Sequence, residues 1–284
     1  SEASGPDRDA KLTPRIAESA KFLWLIYTAL TLACVICYFL AGMSFFDAVC
    51  HAFSTVAIGG FSTHDQSFQY FDLTTIKLVA IFFMIVSGVN FALHFSVLKR
   101  RNPFLYLADA EVRTYFLVLL LVSLFLVVVF QFRQNDSDAD YIDHLFQAVS
   151  FATTTGFVSS ELYLWPPIAQ VVLILAAFAG GCAGSTAGGI KIIRVLTIWR
   201  QGAREIKRLV HPNGVFHVKV GGRPVSEPVL NSIWSFISVY IFLFFFSIVL
   251  IMTVSELDFL TSFSAVSASL NNLGPGLGMV GESY

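Results

Sequence analysis

Thr153-Thr154-Thr155-Gly156-Phe157 puts three hydroxyls, a run of backbone carbonyls and a glycine in five consecutive positions. That set suits one kind of chemistry, the stripping of water from a cation. Inward-pointing carbonyl oxygens replace the lost hydration shell when the chain lies extended beside a pore axis. Glycine permits the positive φ that such a strand needs. Val56-Ala57-Ile58-Gly59-Gly60-Phe61 repeats the pattern with fewer hydroxyls, and Asn271-Asn272-Leu273-Gly274-Pro275-Gly276 repeats it with a rigidifying proline. The candidate ion-lining residues are therefore Val56, Ala57, Ile58, Gly59 and Gly60, then Thr153, Thr154, Thr155 and Gly156, then Asn271, Asn272, Leu273 and Gly274.

Other chemistries find no complete set. Gly184 to Gly189 imitates a phosphate-binding loop, but Ile190 stands before Lys191, Ile192 follows it, and no strand precedes it. Gly276, Gly278 and Gly281 match a dinucleotide fingerprint in form only, because too little chain follows for the βαβ unit that would use it. His51, His64, His94 and His144 lack ligand spacing with cysteines or carboxylates. Cys34 and Cys37 form a single C-x-x-C inside an apolar run, where small apolar packing accounts for them. No nucleophile–base pair or buried carboxylate pair points to an enzyme.

Each candidate ion-lining stretch ends an amphipathic segment that begins near an aspartate: Asp47, Asp143 or Asp258. The first two copies superpose at one constant offset, with Asp47 on Asp143, Gly60 on Gly156 and Phe61 on Phe157. The third needs a small insertion to bring Gly274 into register. A short helix there would aim its partly negative C-terminal end at the ion. Residues 166–199 form an apolar segment too long for one span, since a helix of that length would reach about 50 Å against a core of about 30 Å. Its middle holds Gly180, Gly181, Gly184, Gly188 and Gly189 with Ser185 and Thr186, which argues for a break. The expectation is a broken inner helix with a flexible gate loop under the filter, made of those residues and Lys191. Lys191 itself reads equally as a loop partner or as a snorkelling anchor.

The chain of 284 residues is 56% hydrophobic and 13% charged, with 29 phenylalanines. Soluble domains carry roughly 25% charged residues. A polytopic membrane protein is the consequence, with spans expected at residues 22–41, 73–98, 113–132 and 229–254. Basic clusters at Lys11, Arg15 and Lys21, at Lys99 to Arg101 and at Arg200 to Arg208 alternate with acids at Asp65, Asp136 to Asp143, Glu161, Glu256 and Asp258. The positive-inside rule makes the basic loops cytoplasmic, so the glycine-ended segments dip in from the outer side. A short hairpin is expected at residues 216–225 around Gly221-Gly222. Residues 1–19 are polar and lack an initiator Met, which reads as part of a longer protein.

These stretches, together with residues 180–192, resemble the TrkH/KtrB superfamily of potassium uptake proteins, with the TrkH branch the nearer. The resemblance covers nearly the whole chain. It implies an all-α membrane protein built from outer helix, pore loop and inner helix units around a pseudo-fourfold pore. Divided accordingly, residues 1–21, 99–112 and 200–228 are cytoplasmic linkers. Residues 22–98 and 113–199 are the second and third units, and residues 229–284 are a fourth without its inner helix. The resemblance further implies K+ held at the filter residues, no organic cofactor, and a multi-pass location in the bacterial inner membrane. It implies a homodimer in membrane lipid, a cytoplasmic nucleotide-binding regulatory ring subunit (TrkA-like), and no nucleic acid. Selectivity is expected to be looser than in filters with a full T-V-G-Y-G strand. A K+/Na+ or H+-coupled secondary transporter is the alternative. Such proteins usually carry inverted repeats and a mid-span carboxylate, and neither is evident here.

Overall fold

The computed structural model describes residues 16–133 and 141–281. Lys11, Arg15, Asp136, Asp138 and Asp140 lie outside the described residues. Helix α1 (Ile16–Leu40) leads into the short α2 (Phe45–Val56). Helices α3 (Thr74–Ser87), α4 (Phe91–Arg100) and α5 (Phe104–Ala108) follow, then α6 (Ala110–Arg133) and the short α7 (Tyr141–Ala152). Helices α8 (Pro167–Ala179) and α9 (Ile192–Val210) flank a loop. Strands β1 (Lys219–Val220) and β2 (Arg223–Pro224) precede α10 (Glu227–Ser255) and α11 (Phe259–Asn271).

Among the described residues, three helices are long and apolar enough to cross a membrane: Ala20–Leu40, Ala110–Phe132 and Glu227–Ser255. The span expected at residues 73–98 is not one continuous helix. It is two helices, α3 and α4, bent by 90° at the break. The cause is local. Gly88 caps α3, and Asn90 opens α4 by accepting the Ala92 N–H at 2.8 Å. Tyr115 of α6 lies so close to Gly88 that a side chain there would collide with it. The third span likewise begins at Ala110 rather than at residue 113, which draws Glu111 into the helix. The hairpin turns at Gly221-Gly222, both at positive φ, but its strands are only two residues long each.

Helix α10, at 29 residues, is about 44 Å long, more than an average hydrocarbon core of about 30 Å. Its foot bears Glu227, which pairs with Arg204 of α9 at 3.1 Å. The outward faces of α1, α6 and α10 are rich in exposed Leu, Ile, Val and Phe, as lipid-facing surfaces are. The buried core gathers α2, α3, α7 and α8 inside that shell. Phe68 at its centre contacts the rings of Tyr38, His51, Phe146 and Phe157.

Candidate functional site

The three glycine-ended segments share one main-chain design. In α2 the N–H of Ile58 donates to Thr55 O and that of Gly59 to Ser54 O. In α7 Thr154 donates to Phe151 O and Thr155 to Ser150 O. In α11 Asn272 donates to Ser269 O and Leu273 to Ala268 O. This is the Schellman helix end, with its 6→1 and 5→2 bonds, three times over. The residue in the left-handed position is Ile58 (φ 54), Thr154 (φ 63) or Asn272 (φ 57). Two positions later comes Gly60 (φ 72), Gly156 (φ 83) or Gly274 (φ 99). Glycine usually fills the left-handed position, and a β-branched residue there is strained. Backbone strain of this kind persists only where the surroundings enforce it, and it clusters at functional sites.

The stretches pack edge to edge. A Cβ on Gly60 would collide with the carbonyl oxygen of Thr155, and one on Gly156 with that of Leu273. At Gly274 the same position meets nothing within 4 Å. Gly60 and Gly156 therefore serve close approach between neighbouring stretches as well as positive φ, whereas Gly274 serves φ alone.

Side chains anchor each stretch differently. Ser44 caps α2 by accepting the Asp47 N–H and donating to Asp47 Oδ2 at 2.7 Å. Thr55 hydrogen-bonds the Tyr38 hydroxyl of α1 at 2.7 Å. In α7, Asp143 pairs with Lys77 of α3 at 2.6 Å, and Ser150 donates to Phe157 O at 2.7 Å. Asp258 caps α11 by accepting from Leu260 and Thr261. Hydrogen bonding from Thr261 holds its carboxyl below the usual carboxylate range. Asn271 accepts from the Tyr240 hydroxyl of α10 at 2.8 Å. Phe61 and Phe157 match in sequence but not in surroundings, for Phe61 is 81% exposed and Phe157 fully buried.

Residues 180–191 break the long apolar segment and reach all three stretches. Thr186 donates through Oγ1 to Val56 O at 2.9 Å. Gly188 N–H donates to Thr154 Oγ1 at 2.6 Å, and Gly189 N–H to Asn271 O at 3.2 Å. The loop also ties to the α3–α4 break, where Cys182 donates to Gly88 O and Phe91 to Gly184 O. Within the loop, Gly180 (φ 65) lies so close to Gly188 O that no side chain would fit. Lys191 donates to Ala187 O, so it partners the loop. The residues singled out in the sequence thus meet in one place. Several that bind them were not singled out: Ser87, Gly88, Asn90, Glu111 and Tyr240. The Gly-Val-Asn sequence at residues 88–90, a stop signal followed by a start signal, could have revealed the break.

This arrangement defines an all-helical multi-pass membrane protein in which three glycine-ended half-helices meet one loop that breaks a long apolar segment. The chain belongs to the TrkH family of cation transport proteins, whose family model matches residues 1–283. It is 47% identical over 285 residues to the Trk system potassium uptake protein TrkH of Salmonella typhimurium, covering 100% of this chain and 59% of that protein. It is 41% identical over 290 residues to the potassium uptake protein TrkG of Escherichia coli, again covering 100% of this chain and 59% of that protein. The crystal structure of the potassium transporter TrkH from Vibrio parahaemolyticus superposes with a TM-score of 0.88 at 45% identity. The match covers 94% of this chain and 58% of that one. The chain thus spans about three-fifths of the length of these relatives.

Proposed function

We propose that this chain forms most of the conducting subunit of a bacterial inner-membrane K+ uptake system. K+ is the cargo, carried down its gradient past the carbonyls of residues 56–60, 153–156 and 271–274. The observation that carries this reading is the threefold recurrence of one strained main-chain design, packed strand against strand. The names of the relatives, all potassium uptake proteins, support the choice of ion. A fourth stretch, from the part of the relatives that this chain does not span, would sit beside Gly274 and close the ring. Residues 180–191 are the gate, since a single loop contacts every stretch and any movement of it is felt by all. The assembly is a dimer whose cytoplasmic side meets a nucleotide-binding ring subunit. The basic face of α9 lies against that subunit or against anionic headgroups.

Rubidium tracer uptake into vesicles containing the full-length protein is the test. Uptake that K+ competes away and Na+ does not is expected. Absence of tracer entry in the presence of a K+ gradient would sink the reading. Uptake that collapses when the proton gradient is abolished at constant membrane potential would favour the coupled transporter instead.

A further inference from the structure

Glu111 sits one residue inside α6, nine-tenths buried, and its Oε1 accepts two backbone N–H groups. One belongs to Ala183, at 2.6 Å, on the entering limb of the loop. The other belongs to Ile193, at 3.2 Å, where the loop leaves into α9. The two donors are thus drawn onto one oxygen although the whole gate loop separates them. Ile193 lies in the first turn of α9, whose N-cap residue Lys191 offers no side-chain capping bond. First-turn N–H groups of a helix need an acceptor from elsewhere, and a carboxylate there also faces the positive end of the helix dipole. Glu111 supplies that cap from a different helix and, with the same atom, holds Ala183.

The geometry points to Glu111 as the residue that positions the gate loop, a carboxylate clasp closing both limbs onto α6. This rests on the reading of residues 180–191 as a gate. Most other bonds of the loop use main-chain partners, which substitution leaves in place. Glu111 contributes a side chain at its base, and a single oxygen of that side chain accepts from both limbs. Glutamine keeps an oxygen acceptor in place of the carboxyl group, alanine keeps none, and the two should grade the effect.

Cys182 provides the reporter. It is fully buried and precedes Ala183 in the chain. In full-length protein with every other cysteine replaced, labelling of Cys182 by a small water-soluble thiol reagent measures loop release, and rubidium uptake is recorded in parallel. Labelling of Glu111→Ala is expected about tenfold faster than in the parent, equivalent to about 1.4 kcal/mol in the opening equilibrium. Glu111→Gln should fall between. A parental labelling rate in both variants overturns the clasp. Folding is controlled by elution as a single species, and by Glu111→Gln if the alanine variant aggregates. Faster labelling with raised uptake supports clasp and gate together. Faster labelling with unchanged uptake upholds the clasp and defeats the gate reading on which it rests.

Discussion

Gly60, Gly156 and Gly274 share a positive φ but not the same surroundings, and that difference can be measured. Alanine at Gly156 or Gly60 must displace a neighbouring strand's carbonyl, whereas alanine at Gly274 bears only the left-handed penalty of about 1–2 kcal/mol. Gly156→Ala and Gly60→Ala are expected to abolish rubidium uptake, and Gly274→Ala to retain a measurable fraction. Equal loss at all three would show that φ alone matters. Ile58 presents a contest between strain and burial. Glycine there relieves about 1–2 kcal/mol of left-handed strain but removes a side chain that is 1% exposed, and loss of a buried Ile side chain costs about 2–5 kcal/mol. Ile58→Gly is therefore expected to lower the thermal midpoint in detergent. A rise would mean that strain dominates. The glycines were legible in the sequence because their spacing recurs. The left-handed residues two positions earlier were not. Ile, Thr and Asn share no side-chain chemistry, and only the fold places all three in the same conformation.

Among elements, the short helices were readable from their aspartates and glycines, and the long ones from apolar length. The bend between α3 and α4 was hidden by the apolar length of residues 73–98, which matches a full span so closely that Gly88 and Asn90 drew no weight. Two substitutions should separate their roles. Asn90→Ala removes a cap worth about 1 kcal/mol. Gly88→Ala pushes a methyl into Tyr115 and should cost more, by the overpacking range of about 1–3 kcal/mol. Thermal midpoints of the two variants check the order, and a larger shift from Asn90→Ala would assign the bend to the cap. The start of α11 carries a pH signature. The Asp258 carboxyl is held below its ordinary value of 3.8, so its capping contribution is present above that pH and fades as pH falls below it. Asp258→Ala should erase that acid dependence, read as the midpoint difference from the parent between pH 6 and pH 3. A difference that persists unchanged at pH 3 would exclude the carboxylate as its source.

At the scale of the molecule, composition gave the membrane class. It could not show that one four-residue run, residues 186–189, touches stretches drawn from three separate parts of the chain. Such contacts depend on how distant segments pack together in space, and no local propensity encodes that. Thr186→Val tests the linkage at small steric cost. It deletes the bond to Val56 O and leaves a carbonyl short of a partner, worth about 1–3 kcal/mol. Resting rubidium uptake should rise severalfold with little loss of folded protein. An unchanged resting rate would separate the loop from control of flux.

The recurring helix end has one more consequence. Its three copies share the same twist of the main chain although Ile, Thr and Asn occupy the critical position. A shape that accepts three different side chains is specified by the hydrogen bonding of its peptide groups and not by any one residue type. Their surroundings differ, with Ile58 and Thr154 buried and Asn272 exposed, so each side chain serves its own stretch while the turn of the main chain repeats.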